Sequence, residues 1–202
     1  MLQSAGISLV VKSLLGTSPI SSLPYVLSLI SPFTFGQTTF AVNMVFVVFE
    51  LLMLRRDFPA VFWLQIPVTI LFGFCIDFFM NLFTIVPDAY ALKLLLCLLG
   101  TALVALGVAG QGIADVLMLA GEGAVYTFAH QFHIDFGKVK VGNDISLVIL
   151  AAIVSVLTMG TIEGIREGTL ISALLTGIIA RFYLRHLSRI DAHGRIYLAP
   201  HR

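Results

Sequence analysis

The chain has 202 residues, with 12 Lys and Arg against 11 Asp and Glu, a net charge of +1 and a mean hydropathy of +1.00. Hydrophobic residues make up 58% of it and charged residues 11%, whereas a soluble domain carries about 25% charged residues, so a water-soluble globular fold is excluded. The near-neutral balance leaves no basic field, which excludes nucleic acid as a partner.

Chemistry by known signatures is absent as well. There is no HExxH, GxSxG or P-loop pattern, so an enzyme or an ATP-driven pump has no support, and no cofactor is implied. Cys75 and Cys97 each sit singly within an apolar run, which argues against a disulfide framework or a zinc site. The N-terminus carries no basic stretch with a small-residue cleavage site, so targeting is expected to rest on the first membrane segment.

A bilayer core takes roughly 20 apolar residues per helix. Spanning segments are expected at about 1–15, 38–54, 59–84, 91–109, 144–160 and 169–186. The first is short, and the expectation is that its helix begins upstream of Met1. Two further apolar stretches, Pro19 to Ile30 and Ile113 to Phe128, are too short to cross and are flanked or interrupted by Gly, Pro or Ser. Segments of that kind are more often re-entrant. Ser18 followed by Pro19 places an N-cap residue before a Pro at the first helical position, so a half-helix is expected to start there.

Lys and Arg are enriched in cytoplasmic loops. The basic clusters are Arg55 and Arg56, then Lys138 and Lys140, then Arg181, Arg185 and Arg189. They share one side only if 113–128 goes in and returns. That count makes 187–202 a cytoplasmic tail and puts Asp88, Glu163 and Glu167 on the opposite side.

An internal repeat is also legible. Phe35-Gly36, then Asn43 and an apolar helix, are matched at one offset by Phe136-Gly137, then Asp144 and an apolar helix. Gly16-Thr17-Ser18-Pro19 before the first short segment is echoed by Gly110-Gln111-Gly112 before the second. The expected fold is therefore all-α, with about six transmembrane helices and two short re-entrant helices. Residues 1–84 and 91–186 form a 3+3 inverted repeat, because an odd number of crossings turns one half upside down. Such architectures place a site near the midplane where the halves meet.

Three stretches resemble the YczE/YyaS/YitT-like bacterial membrane proteins: Gly16 to Tyr25, the Asp135-Phe136-Gly137-Lys138 loop with Asp144, and Met159-Gly160-Thr161-Ile162-Glu163-Gly164-Ile165-Arg166-Glu167-Gly168-Thr169. The likeness covers nearly the whole chain. It implies a multi-pass protein of the bacterial inner membrane, without a defined activity.

Candidate binding residues fall into sets. Gly16, Thr17, Ser18 and Ser21 at the first short helix, and Gly112 before the second, form entrances to helix N-termini, which attract anions and carboxylates. Close helix packing by small residues is the plainer account. Asp77, Asp115, Glu122 and Asp144 are acids at membrane depth, where a carboxylate costs several kcal/mol and tends to bind cations or relay protons. Asp115 and Asp144 are also good N-caps, as is Asn43 at the repeat position, whereas Glu122 has no capping role and is the strongest candidate. Glu163, Arg166 and Glu167 form a candidate outer gate, or a solvated ion pair of small energy. His130 and His133 read as loop histidines rather than a metal site.

Together these point to a transporter or permease for a small solute or ion in the lipid bilayer, with a homo-oligomer allowed. The alternative is a non-transporting membrane scaffold or regulatory component, whose small-residue faces would pair with a partner helix.

Overall fold

A computed structural model describes residues 1–55, 60–84, 87–114, 118–190 and 196–198. It contains α1 (Leu2–Lys12), α2 (Pro19–Ile30), α3 (Phe35–Leu54), a 3-10 turn (Ala60–Leu64), α4 (Gln65–Leu82), α5 (Tyr90–Ala114), α6 (Ala120–Phe132), α7 (Phe136–Met159) and α8 (Glu167–Leu187). In the tail, β1 (Ser188–Ile190) and β2 (Ile196–Leu198) pair antiparallel, with Arg189 opposite Tyr197. Four helical stretches are long and apolar enough to cross a bilayer: Phe35–Leu54, Phe62–Leu82, Tyr90–Gln111 and Phe136–Met159. Pro19–Ile30 and Glu167–Ala180 are apolar but shorter.

The burial pattern reverses that of a soluble protein. Leu157, Leu174 and Phe74 point outward at 79%, 71% and 70% exposure, while Ser4, Ser8, Ser22, Thr101 and Ser172 are fully buried. An apolar outer surface around a core of small polar residues suits a protein solvated by lipid, where helix packing relies on close approach and interhelical hydrogen bonds.

Helices α1 and α5 pack most extensively. A Cβ added to Gly6 would lie 2.6 Å from the Gly100 carbonyl oxygen and 2.7 Å from the Val104 nitrogen. One added to Gly107 would lie 3.0 Å from the Gln3 nitrogen. Only glycine lets the two backbones touch in this way. Gln3 meets Gly107 while Val10 meets Gly100, so rising position in α1 runs against falling position in α5, and the helices are antiparallel. Ser4 and Ser8 donate to the Phe72 and Ile76 carbonyls at 3.4 and 3.3 Å, which sets α1 parallel to α4.

Helix α3 begins at a capping box. Thr34 accepts from the Gln37 nitrogen, and Gln37 Oε1 accepts from the Thr34 nitrogen at 3.0 Å. Helix α7 begins at Asp135, which accepts from the Lys138 nitrogen at 3.2 Å. Asn43 and Asp144, expected to cap these helices, instead lie about two and a half turns inside them. Phe136-Gly137, read as loop, and Phe35-Gly36, read as preceding a helix, both form first helical turns. Gly36 is tolerated because its backbone packs on Gly73, and a Cβ there would collide with the Gly73 carbonyl. Its nitrogen donates to Asp77 Oδ1 at 2.7 Å, and the Thr34 hydroxyl donates to Asp77 Oδ2 at 2.6 Å.

Helix α3 thus starts beside Asp77, near the end of α4, at the end of the bundle where α1, parallel to α4, also finishes. At the other end, Gln111 of α5 reaches Gln3, and Val139 and Gly142 of α7 line a cavity with Val45 and Phe49 of α3. The starts of α2 and α6 meet, with Ile20 against Gly121.

The Asp77 carboxylate is a tie between α4 and the start of α3, not a ligand-facing acid. Asp77→Asn should lower stability by about 1–3 kcal/mol, since a backbone donor loses a charged acceptor. Thermal unfolding in detergent is the check, with exposed Asp88→Asn expected to leave the midpoint unchanged.

Candidate functional site

Two polar clusters flank the contact between Ile20 and Gly121. The first is built on the loop before α2. Gly16 has φ +118°, a conformation that favours glycine, and a Cβ there would collide with the Thr169 hydroxyl. The Thr17 nitrogen donates to Thr169 Oγ1 at 3.1 Å, and the Thr17 hydroxyl donates to the Gly164 carbonyl at 3.2 Å. Thr17 Oγ1 also lies 3.0 Å from Ser22 Oγ. Ser18 occupies the N-cap of α2 by its backbone, yet its hydroxyl donates to Ser21 Oγ at 2.9 Å.

These contacts give the Gly160–Thr169 run a structural role. Gly164, at φ +74°, leaves room for the Tyr25 ring, and the Gly168 nitrogen donates to the Leu15 carbonyl at 2.8 Å. Ser155 fixes the turn from below, donating to the Thr161 carbonyl and accepting from the Glu163 nitrogen. The run is thus a cradle for the entrance to α2. Of the gate candidates, Arg166 Nε lies 3.7 Å from Glu167 Oε2 with both side chains largely exposed, and all three residues sit on the outer rim of the cradle.

The second cluster surrounds the start of α6. Glu122 is 8% exposed and accepts one long hydrogen bond, 3.5 Å, from Gln3 Nε2. Gln3 Oε1 accepts from Gln111 Nε2 at 2.8 Å. Gln3 and Gln111 line a cavity of about 550 Å³ with Val68, Phe72 and Gly110. Lys140 and Asp144 pair at 3.1 Å on α7 and lie within electrostatic reach of Glu122. Asn43 donates to the Thr39 carbonyl of its own helix at 2.8 Å. Gly112 belongs to the last turn of α5 rather than to a loop before α6, and Asp115 lies outside the described residues.

Beside this cluster stands a residue that the sequence reading passed over. Glu50 of α3 is fully buried, as is Gln65 at the start of α4, 1% exposed. A Cβ on Gly123 of α6 would lie 2.5 Å from Glu50 Oε1 and 3.0 Å from Gln65 Nε2. The amide is beside the carboxyl, but neither carboxyl oxygen has a hydrogen-bond partner. Glu50 is the only acid within the 38–54 stretch, which was the available signal. Among the described residues, no three His, Cys, Asp or Glu side chains converge as a metal site would require.

The clamp on the α2 entrance can be tested at Thr169. Thr169→Val removes the acceptor for the buried Thr17 nitrogen and should cost about 1–3 kcal/mol. Thr169→Ser should retain most of the stability, as read by thermal unfolding.

No curated protein and no solved structure matches the chain. A family model described as a family of unknown function (DUF6198) matches residues 1–185. With that match covering most of its length, and with the helical membrane architecture above, the chain belongs to the DUF6198 family.

Proposed function

We propose that this protein is a transporter or permease for a small solute in the bacterial inner membrane, with Glu122 as the group that carries a coupling ion or proton. The observation that carries this reading is the environment of Glu122. It is an enclosed carboxyl held by one long hydrogen bond from a glutamine that itself lines a cavity. A carboxyl at such depth is expensive to keep without a strong partner, and such residues usually serve ion or proton movement.

The proposed architecture is a 3+3 inverted repeat of six crossings with two re-entrant helices. Three features support it. The paired helix starts keep one offset, Pro19 to Ala120 and Phe35 to Phe136. The packing partners also exchange between halves, α1 with α4 as α5 with α8, and α2 with α7 as α6 with α3. Finally, the equivalent helices α1 and α5 are antiparallel, as an axis in the membrane plane requires. On this topology Arg55, Lys138 and Lys140 share the end where α8 finishes, which the positive-inside rule makes cytoplasmic. The resemblance to YczE/YyaS/YitT-like proteins fits the same picture.

A scaffold would keep its small-residue faces for a partner helix. Here Gly6, Gly36, Gly73, Gly100 and Gly107 are engaged inside the chain, while Gly110, Gly142 and Gly177 face open space, so the case for transport rests on Glu122 and not on the glycines.

The test is current recorded from proteoliposomes on a solid-supported membrane, with amino acids, carboxylates and small sugars as the solute panel. Wild-type protein should give a solute-dependent current with at least one of them. Glu122→Gln should reduce it at least about tenfold, the size of effect that follows from losing roughly 1.4 kcal/mol or more, while eluting as a monodisperse species. No current with any solute would favour the scaffold, and an undiminished current in Glu122→Gln would remove Glu122 from the mechanism.

A further inference from the structure

The Glu50 cluster adjoins the Glu122 network through Gly123 but shares no hydrogen bond with it. Three side chains there are essentially fully enclosed: Glu50 and Thr69 at 0% and Gln65 at 1% exposure. Gln65 and Thr69 are one turn apart on the same face of α4. Both carboxyl oxygens of Glu50, Oε1 of Gln65 and Oγ1 of Thr69 have no hydrogen-bond partner. Buried polar groups are almost always satisfied, so an enclosed carboxyl with only the Gln65 amide beside it, and the unpartnered Gln65 and Thr69 oxygens on the facing helix, call for a ligand. A proton can relieve only one of these oxygens and its neighbour. A hard cation takes several oxygen ligands at once.

The position adds to the argument. Glu50 lies in the last full turns of α3, where the carbonyl ends of the helix carry partial negative charge and favour a cation. Gly123 of α6 leaves open the space that a Cβ would take from the Glu50 and Gln65 head groups. The nearest described charge along the chain is exposed Arg55 at the α3 C-cap, and among the described residues no ion pair reaches Glu50.

We propose that Glu50 and Gln65, with Thr69 one turn further along α4 and Gly123 opposite, form a monovalent cation site at the junction of α3, α4 and α6. The carboxylate supplies the charge, and the amide and hydroxyl oxygens complete an oxygen shell. With the Gln65 amide rotated about its last bond, its oxygen replaces its nitrogen beside Glu50, an exchange that leaves the outline of the side chain unchanged.

The full chain, purified in detergent, is titrated with NaCl against choline chloride at constant ionic strength while thermal unfolding is followed. A ligand bound only by the folded state stabilises it in a saturable way. Wild type should show a saturating rise of at least about 3 °C with Na⁺ as the probe cation. Glu50→Gln should fold and lose the Na⁺ response. Gly123→Ala, which crowds the carboxyl without removing it, should weaken the apparent Na⁺ affinity at least about tenfold, the effect of roughly 1.4 kcal/mol. A wild-type midpoint that does not respond to Na⁺, or responds equally to choline, overturns the site, as does a Na⁺ response retained in Glu50→Gln. Should Glu50→Gln fail to fold, an unchanged Na⁺ affinity in Gly123→Ala overturns it as well.

Discussion

The antiparallel contact of α1 with α5 through Gly6, Gly100 and Gly107 is the constraint on which the rest of the bundle depends. In lipid no hydrophobic force draws helices together, so association rests on close backbone approach and on polar side chains that find partners across the interface. Three glycines at the crossing supply the approach. Ser4 and Ser8 on α1 then bond the carbonyls of α4, and Val10 and Leu15 pack around Cys97 of α5. With α1 held between α4 and α5, its end delivers the Gly16 loop to Thr169, and α2 can start against α6.

The same packing decides what each buried acid does. Asp77 is half-buried and accepts from two donors at the start of α3, so its charge is used in holding two helices together. Glu122 has only a long bond from Gln3, and Glu50 has none. Satisfied carboxylates in a membrane protein are structural, and unsatisfied ones are held in place by the surrounding fold at a cost of several kcal/mol. That cost is a reason to look for function at Glu122 and Glu50 and not at Asp77, although all three are acids in apolar helices.

Much of the helical frame was legible in the sequence, since apolar length and Pro or Gly punctuation are strong signals. Pro19 to Ile30 forms the helix expected of it, and 38–54 and 91–109 fall inside α3 and α5. Other features depended on tertiary contacts that no local pattern reveals. Phe35-Gly36 read as lying ahead of the 38–54 segment, while the structure places Gly73 and Asp77 where a glycine-containing first turn of α3 fits. Gly110-Gln111-Gly112 read as the entrance to the second short segment and is the end of α5. Among the described residues, four helical stretches reach the length and apolarity of a span, where six were expected. Glu50 was hidden inside a long apolar run, and the roles of Thr169 and Gln3 arise from partners 152 and 119 positions away.

The central claim is that the two short helices enter the bundle from opposite faces, related by the α1 and α5 crossing. Single cysteines introduced as Phe33→Cys, between α2 and α3, and as His133→Cys, between α6 and α7, test it directly. Phe33 and His133 are exposed, whereas native Cys75 and Cys97 are buried and can be replaced by Ser. A membrane-impermeant thiol reagent applied to intact cells should label the Phe33→Cys protein alone, with the His133→Cys protein labelled only after the cytoplasmic face is opened. Labelling of both positions from the same face would contradict the inverted arrangement and the function built on it.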